Sequence, residues 1–400
     1  MENKYHLILK TGQAEIKAFK NLTADQRFGI VPIVELTRGR KNHPSTFAKT
    51  RQEYNFVSIQ SFVGAEISDA QEFFLDVTRV NDLSSAQTNN LRDWRGGYRN
   101  WVDFVTNIQV NKRGCAPIIQ VNPPDGQSWD DYAASLCNQF DALASKCQVI
   151  GYRASAKTDS SFDADLIALQ DRIESHTRNG GIVKFFLDYD YIRPGTGDLH
   201  AVEAAKILDA VFDIVPQVVP VVVSTSFPSS VTDIGGEDSG QFSEEEVVLH
   251  AAVSRQVHNK FSNVIFGDYG SINPTRNDAV TGANGWRPRI DYPFAGDAVF
   301  YHREKRLSKG KGSDKQYLTT YSHHYRSVAS KVVSDDRFIN DNLSRDATSW
   351  GVREIRSAAG GQVNSSSPSH WISVRMNIHI QQQLKRLKLY SGASDFDDLL

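Results

Sequence analysis

The feature that most constrains the fold is a series of eight short apolar segments, each ending in one or two polar residues. The segments are rich in β-branched residues, leucine and phenylalanine, which is typical of strands buried on both faces of a parallel sheet. Stretches with a helical pattern separate most of them, and strand–helix alternation requires parallel crossover connections. Eight such repeats predict an α/β fold of the closed (β/α)₈ TIM-barrel type. The predicted strands are residues 5–10, 29–36, 72–79, 115–122, 148–155, 183–191, 218–226 and 263–271.

A doubly wound open sheet is the alternative arrangement of the same elements. It is disfavoured as a nucleotide-binding fold because no glycine-rich phosphate loop follows any predicted strand. The sequence therefore indicates no nucleotide cofactor.

The regular alternation ends after the eighth predicted strand. Residues 272–294 are rich in Asn, Gly and Pro, which is typical of a long loop. We expect a lid or a disordered insertion at about 272–314, interrupted by an added strand that begins near Ala298, and then a helix at 315–333 that completes the barrel. The predicted division is a barrel over 1–335 and a C-terminal helical extension over 336–400.

Composition excludes several classes of protein. The chain has 45 Lys plus Arg and 47 Asp plus Glu, a net charge of −2, which argues against binding nucleic acid or membrane through bulk charge. The N-terminus lacks the apolar core of a signal peptide and no apolar run is long enough to span a bilayer, so we expect a cytoplasmic protein without a membrane partner. The three cysteines predict neither a disulfide framework nor a zinc site.

Candidate functional residues lie at the ends of the predicted strands. In barrels of this type the catalytic groups lie at the carboxyl ends of the strands. When the eight segments are aligned on their last apolar residues, a polar set follows: Lys10, Glu35, Asp76, Gln120, Arg153, Asp188, Ser224 and Asp268. Further candidates for ligand binding lie close by: Arg38, Arg79, Asn122, Asp190, Ser226 and Tyr269.

These residue types indicate a specific chemistry. Carboxylate oxygens are hard ligands that suit Mg²⁺ or Mn²⁺, so the predicted metal ligands are Glu35, Asp76, Asp188 and Asp268. The cations Lys10 and Arg153 would bind phosphoryl oxygens. The leading hypothesis is a barrel mouth that binds a small anionic, phosphate-bearing ligand or nucleic acid and hydrolyses a phosphoester with a divalent metal, as phosphodiesterases and nucleases do.

Three other interpretations stay open at this point. The polar residues form a mouth whose charges only pair with one another, or Lys10 is a Schiff-base amine of a lyase. Alternatively the chain is a non-catalytic scaffold that contacts a protein partner through amphipathic C-terminal helices, with an apolar face formed by Trp371, Val374, Ile378 and Leu384.

A basic and aromatic cluster allows two interpretations of its own. In the segment LRDWRGGYRNW, Arg92, Arg95 and Arg99 alternate with Trp94, Tyr98 and Trp101. Such interleaving suits base stacking and phosphate contact. Core aromatics on a barrel helix explain it equally well.

Several short motifs resemble the phage and bacterial "beta protein" family. They are Tyr5–Lys10, Glu15 and Ala18 in GQAEIKAFKNL, the run Pro32–Glu35, LDVTR at 75–79, FFLDYDYI at 185–192, and the late SHWISVRMNIHI that ends at Ile380. The resemblance spans nearly the whole chain. It implies a TIM-barrel-like protein that acts in phage–host conflict or antiviral defence, and it supplies no catalytic residues.

Overall fold

The computed structural model describes residues 4–38, 67, 70–109, 114–122, 128–159, 161–275, 286–309 and 316–389. Its strands are β1 (Tyr5–Lys10), β2 (Ile30–Leu36), β3 (Phe73–Val77), β4 (Cys115–Pro117), β5 (Val149–Ser155), β6 (Ile182–Tyr191), β7 (Val219–Thr225), β8 (Ser239–Ser243), β9 (Ile265–Asp268), β10 (Arg289–Phe294), β11 (Ala298–Arg303), β12 (Ser308–Lys309) and β13 (Gln316–Tyr317). Its helices are α1 (Gln13–Lys20), α2 (Ala24–Phe28), α3 (Ala86–Leu91), α4 (Arg95–Gln109), α5 (Trp129–Ala144), α6 (Phe162–Arg178), α7 (Gly197–Ile214), α8 (Glu245–Gln256), α9 (Tyr321–Val333), α10 (Asp336–Asn340), α11 (Trp350–Ala359) and α12 (Pro368–Arg386).

Eight parallel strands form a barrel, as the segment pattern predicts. Their order is β4-β3-β2-β1-β9-β7-β6-β5, so β1 lies between β2 and the eighth barrel strand, β9. The two ends of this order meet at a parallel bridge between Ile118 and Gly151, where Ile119 N donates to Gly151 O at 2.8 Å. The (β/α)₈ prediction is therefore confirmed.

Side-chain alternation along the strands separates two cores. The barrel interior is filled by an apolar cluster that includes Ile8, Ile33, Phe74, Phe186 and Val221. The intervening residues of the same strands point outward and pack against the helices in a larger cluster. Because residues two apart share a face, the inward series Ile8, Ile33, Phe74 and Phe186 continues into Lys10, Glu35, Asp76 and Asp188 at the carboxyl ends of the strands.

Part of the region after β9 forms strands instead of the predicted long loop, and residues 276–285 and 310–314 of the predicted lid lie outside the described residues. Of the segment predicted as a loop, Arg289–Phe294 forms β10, which pairs antiparallel with β11, and β11 pairs with β8. The alternation of buried Ile290 and Tyr292 with polar neighbours is a strand signal that the preceding Asn, Gly and Pro residues obscure. The hairpin packs on α9, α10 and α12 through a separate apolar cluster.

The helix that completes the barrel is α12. We expected 315–333 to take this place, and that expectation is wrong, because α9 buries Tyr325, Val328 and Val332 in the cluster of the hairpin instead. Helix α12 packs against α1 and β10 and contributes Met376, Ile380 and Leu384 to the outer core of the barrel. Asn377 Nδ2 also donates to Ala18 O at 3.1 Å.

The burial of α12 removes the basis for the scaffold hypothesis. The face predicted to contact a partner comprises Trp371, Val374, Ile378 and Leu384, and all four side chains are at most 4% exposed. They pack against the hairpin, α11 and the barrel of the same chain. The assignment of that face to a protein partner is therefore wrong, since the fold itself covers it. The predicted boundary between residues 335 and 336 stays a prediction.

If α12 is an integral barrel helix, truncating a core side chain on it should destabilise the whole protein. Ile380 is fully buried, and an Ile→Ala change at such a site costs about 2–5 kcal/mol. We expect Ile380→Ala to lower the urea midpoint in a single cooperative transition. Ile167→Ala is the matched control because Ile167 is 60% exposed on α6. Equal midpoints for the two variants would contradict this assignment of α12.

Candidate active site at the barrel mouth

Arg153 lies at the centre of the barrel mouth and is bonded to carboxylates from three other strands. Its Nη1 is 3.0 Å from Glu35 Oε2 and 2.7 Å from Asp76 Oδ2. Its Nε and Nη2 donate to Asp188 Oδ2 at 2.8 and 2.6 Å. All four side chains are less than 8% exposed. Strand register brings these residues together. Glu35 pairs with Asp76 on the neighbouring strand. Arg153 shares a strand face with Ser155, two residues later, and Ser155 pairs with Asp188.

Tyr269 connects this cluster to a fourth carboxylate. Its hydroxyl accepts from Arg153 Nη2 at 2.9 Å, donates to Asp188 Oδ2 at 2.7 Å and lies 3.2 Å from Asp190 Oδ1. Asp190 is half-buried, adopts a left-handed φ of 51°, and donates its backbone N–H to Asp188 Oδ1 at 2.8 Å. Burial and the negative charge of Asp188 raise the pKa of Asp190 to about 6. A proton can therefore be exchanged at this carboxyl near neutral pH.

Lys10 and Gln120 complete the inner ring. Lys10 is the register partner of Glu35 on β1, its Nζ lies 4.0 Å from Glu35 Oε1, and it donates to the carbonyl of Pro274. Burial raises the pKa of Glu35, but the charges of Lys10 and Arg153 outweigh it and hold that pKa below its ordinary value. Gln120 Nε2 donates to Asp76 Oδ1 at 3.2 Å. Glu35 Oε1 is buried and has no hydrogen-bond partner among the described residues.

Arginines surround the inner ring at the rim. Arg79 Nη2 donates to Arg153 O at 2.6 Å, and Arg92 Nη2 donates to Asn122 Oδ1 at 3.1 Å. Arg92 Nη1 also donates at 3.5 Å to the carbonyl of Thr78, the residue before Arg79, and burial together with the charge of Arg79 lowers the pKa of Arg92. Arg38 lies farther out, where it donates to the carbonyl of Asp82. The predicted residues Arg38, Arg79 and Asn122 are thus all part of the rim.

Three predicted site residues lie on the opposite face of the sheet. Asp268, Ser224 and Ser226 point outward into the layer between the strands and the helices, because Tyr269 and Val223, their neighbours in sequence, point inward. Asp268 accepts hydrogen bonds from Tyr5 and Gly270 N and bonds His379 of α12 at 2.6 Å. The expectation that Asp268 joins the other three carboxylates is wrong, since a shift of one residue along a strand reverses the side chain.

The structure also separates the members of the basic and aromatic cluster. Tyr98 and Trp101 are fully buried in the outer core, whereas Arg92, Trp94 and Arg95 line a cavity of about 400 Å³ with Asn122. Arg92 is the rim residue that strand-end alignment did not select, because it follows a helix rather than a strand. Its position within the cluster of alternating arginines and aromatics is the signal that identifies it.

Similarity to known proteins extends over nearly the whole chain. A family described as "Beta protein" matches residues 5–385. "Protein beta" of Enterobacteria phage P4 is 26% identical over 402 residues, which cover 98% of this chain and 96% of that protein. The crystal structure of the Bacillus megaterium QM B1551 spore cortex-lytic enzyme SleL shares 8% identity over 76% of this chain and 65% of that chain, with a TM-score of 0.32, too low to support any inference.

Two findings bear on what kind of protein this is. Within the described residues, no helix combines the length and the apolar character that crossing a membrane requires. The family match extends from the first residue of β1 almost to the end of α12, so that it includes every barrel strand and the helix that completes the barrel. The chain therefore belongs to the Beta protein family, and Protein beta of phage P4 is one of its relatives.

Proposed function

We propose that the barrel mouth is a hydrolytic active site for a phosphate-bearing ligand. Asp190 is its general base, the inner ring around Arg153 is its rigid electrostatic frame, and the rim arginines bind the anionic group of the substrate. The observation that carries this proposal is the pair Asp188 and Asp190. These two carboxylates share Tyr269 as a hydrogen-bond partner but differ strongly in environment.

The difference between the two carboxylates supports separate roles. Asp188 accepts four hydrogen bonds, from Arg153 Nε and Nη2, Tyr269 OH and Asp190 N. Of these groups, only the Tyr269 hydroxyl bonds the carboxylate of Asp190, and Asp190 is more exposed to solvent than Asp188. Pairs of titratable groups in contrasting environments are typical of acid–base sites. With a pKa of about 6, Asp190 is mostly ionised at pH 7 and can accept a proton from an attacking water.

The rim supports an anionic substrate. Burial and the positive charge of Arg79 lower the pKa of Arg92, and Arg92 Nε is buried without a hydrogen-bond partner among the described residues. A phosphate group would supply the missing acceptor and relieve the repulsion between the two guanidinium groups. Arg153 cannot serve as the phosphate clamp that the sequence predicted, since its donors are already taken by carboxylates.

A divalent cation fits the inner ring poorly. Glu35, Asp76 and Asp188 offer the oxygen donors that Mg²⁺ and Mn²⁺ prefer, but an oxygen of each bonds Arg153. Asp268, the fourth predicted ligand, lies on the other face of the sheet. A cation would have to displace the guanidinium, so we assign no step to it. The requirement for Mg²⁺ or Mn²⁺ stays a prediction, and rates measured with EDTA and with each ion test it.

We propose that the protein acts in phage–host conflict, and more specifically in antiviral defence. The similarity to a phage P4 protein supports a role in phage biology. Plaque counts on cells that express the wild type or an inactive variant test this setting. Equal counts for the two strains would argue against it.

Asp190→Asn should abolish most of the hydrolytic activity. Loss of a general base costs about 10²–10⁴-fold in rate, and Asn is the same size but cannot accept the proton. Because the carboxyl must be ionised, wild-type activity should rise as pH increases through about 6 and then level off. The measurement is a rate assay over pH 5–8 on nucleotides, bis(p-nitrophenyl) phosphate and single-stranded nucleic acid, with EDTA, Mg²⁺ or Mn²⁺.

Asp171→Asn is the matched control for this assay, because Asp171 is exposed on α6 away from the mouth. It should keep the wild-type rate and pH profile. If Asp190→Asn retains full activity, or if both variants lose the same amount, Asp190 is not the base.

The role of Arg153 as an electrostatic frame predicts a large effect on stability. Arg153→Met leaves three buried carboxylates without their cation, which costs about 3–5 kcal/mol. Arg172→Met, which breaks an exposed pair with Asp141 at 3.0 Å, should cost about 1 kcal/mol or less. Chemical denaturation at pH 7 measures both.

The difference in stability between the wild type and Arg153→Met should depend on pH. The lowered pKa of Glu35 contributes stability above the ordinary Glu pKa of about 4.3, and this contribution disappears as pH falls through the folded-state value. Arg153→Met should lose that contribution, so the gap between wild type and variant should narrow in acid. A gap that stays constant as pH falls from 7 to well below 4.3 would contradict the role of Arg153.

A further inference from the structure

We propose that a second, buried site binds a divalent transition metal ion outside the barrel, through Glu244, Glu246 and His379. These residues come from the start of α8 and from α12, and ligand atoms from all three lie within 4.8 Å of one another. Two carboxylates and one imidazole suit Zn²⁺ or Mn²⁺. The site is structural rather than catalytic, because each of the three side chains is at most 3% exposed.

One nitrogen of His379 already has the carboxylate partner that orients a metal-binding histidine. Nδ1 faces Glu244 Oε1 at 2.7 Å, and Nε2 is 2.6 Å from Asp268 Oδ2. A metal-bound histidine usually donates its other ring N–H to a carboxylate, which orients the ring. Asp268 takes that second role, and it is itself held by Tyr5 and by Gly270 N. Nδ1 is then the ligand atom, and a metal ion would replace the proton that Nδ1 shares with Glu244.

A buried hydroxyl without a partner lies on the same face of the sheet as this cluster. Ser224 is 1% exposed, and its Oγ has no hydrogen-bond partner among the described residues. It is the register partner of Asp268 on the neighbouring strand, so the two side chains share the outer face. Ser226, two residues farther along that face, donates to Glu246 Oε2 at 2.6 Å. A bound ion, or a water bound to it, would supply the missing partner of Ser224.

The charges of the cluster are compatible with an added cation. Glu244, Glu246 and Asp268 surround the single imidazole of His379, so the buried cluster holds three carboxylates and one nitrogen base. Buried carboxylates are tolerated when they are paired or coordinate a metal ion. A divalent ion would supply further positive charge to this cluster.

The decisive variant is Glu246→Gln, since glutamine resembles the protonated acid and removes one ligand with little change in shape. Because the cluster is buried, the protein should be refolded from urea in the presence of Zn²⁺ or Mn²⁺ and then desalted. We expect roughly one metal ion per wild-type chain by elemental mass spectrometry and a higher thermal midpoint than after refolding with EDTA. Glu246→Gln should show neither effect.

Glu245→Gln is the matched control. Its carboxylate bonds Gly197 N and Ser243 outside the cluster, so this variant should bind the metal as the wild type does. Asp268→Asn should weaken binding by about 10–100-fold without abolishing it. A metal-free wild type, equal metal content in wild type and Glu246→Gln, or equal losses in Glu245→Gln and Glu246→Gln would each overturn the proposal. None of these outcomes depends on the hydrolytic activity.

Discussion

The guanidinium of Arg153 is the group on which the arrangement of the barrel mouth depends. Carboxylates from three other strands meet inside a closed barrel, where water cannot solvate their charges. Such charges are tolerated only when they are paired and hydrogen-bonded. Because one planar cation bonds all three, β2, β3, β5 and β6 are linked at their carboxyl ends. The interior therefore changes from an apolar layer around Phe74 and Phe186 to a rigid polar layer directly above it.

A second ionic network fastens α12 to the same sheet from outside. His379 of α12 bonds Asp268 of β9 and Glu244 next to α8, and all three side chains are buried. Helix α12 also packs beside α1, so it closes the helical layer that α1 begins. The two networks lie on opposite faces of the sheet near the ends of adjacent strands, which keeps their charges apart.

The mouth combines a rigid part and an accessible part. Every hydrogen-bonding group of Asp188 and Arg153 is engaged within the barrel, so neither can move without leaving a buried charge unpaired. Asp190, Arg79 and Arg92 lie farther out, where a ligand can reach them. This division, a fixed electrostatic frame below and more accessible charged groups above, is compatible with the active site that we propose for the mouth.

The sequence by itself determined the eight strands, their parallel arrangement and the polar residues that end them, because periodicity and strand–helix alternation are local properties. Tertiary structure alone decided which face each strand-end residue occupies. Asp188 and Asp268 look alike in sequence, yet one points into the barrel and the other points out, since the direction depends on register within the closed sheet. Tertiary structure also decided that the barrel is completed by α12 and not by α9, which is closer to β9 in sequence. Long-range packing and the bond between His379 and Asp268 leave no trace in the local sequence pattern.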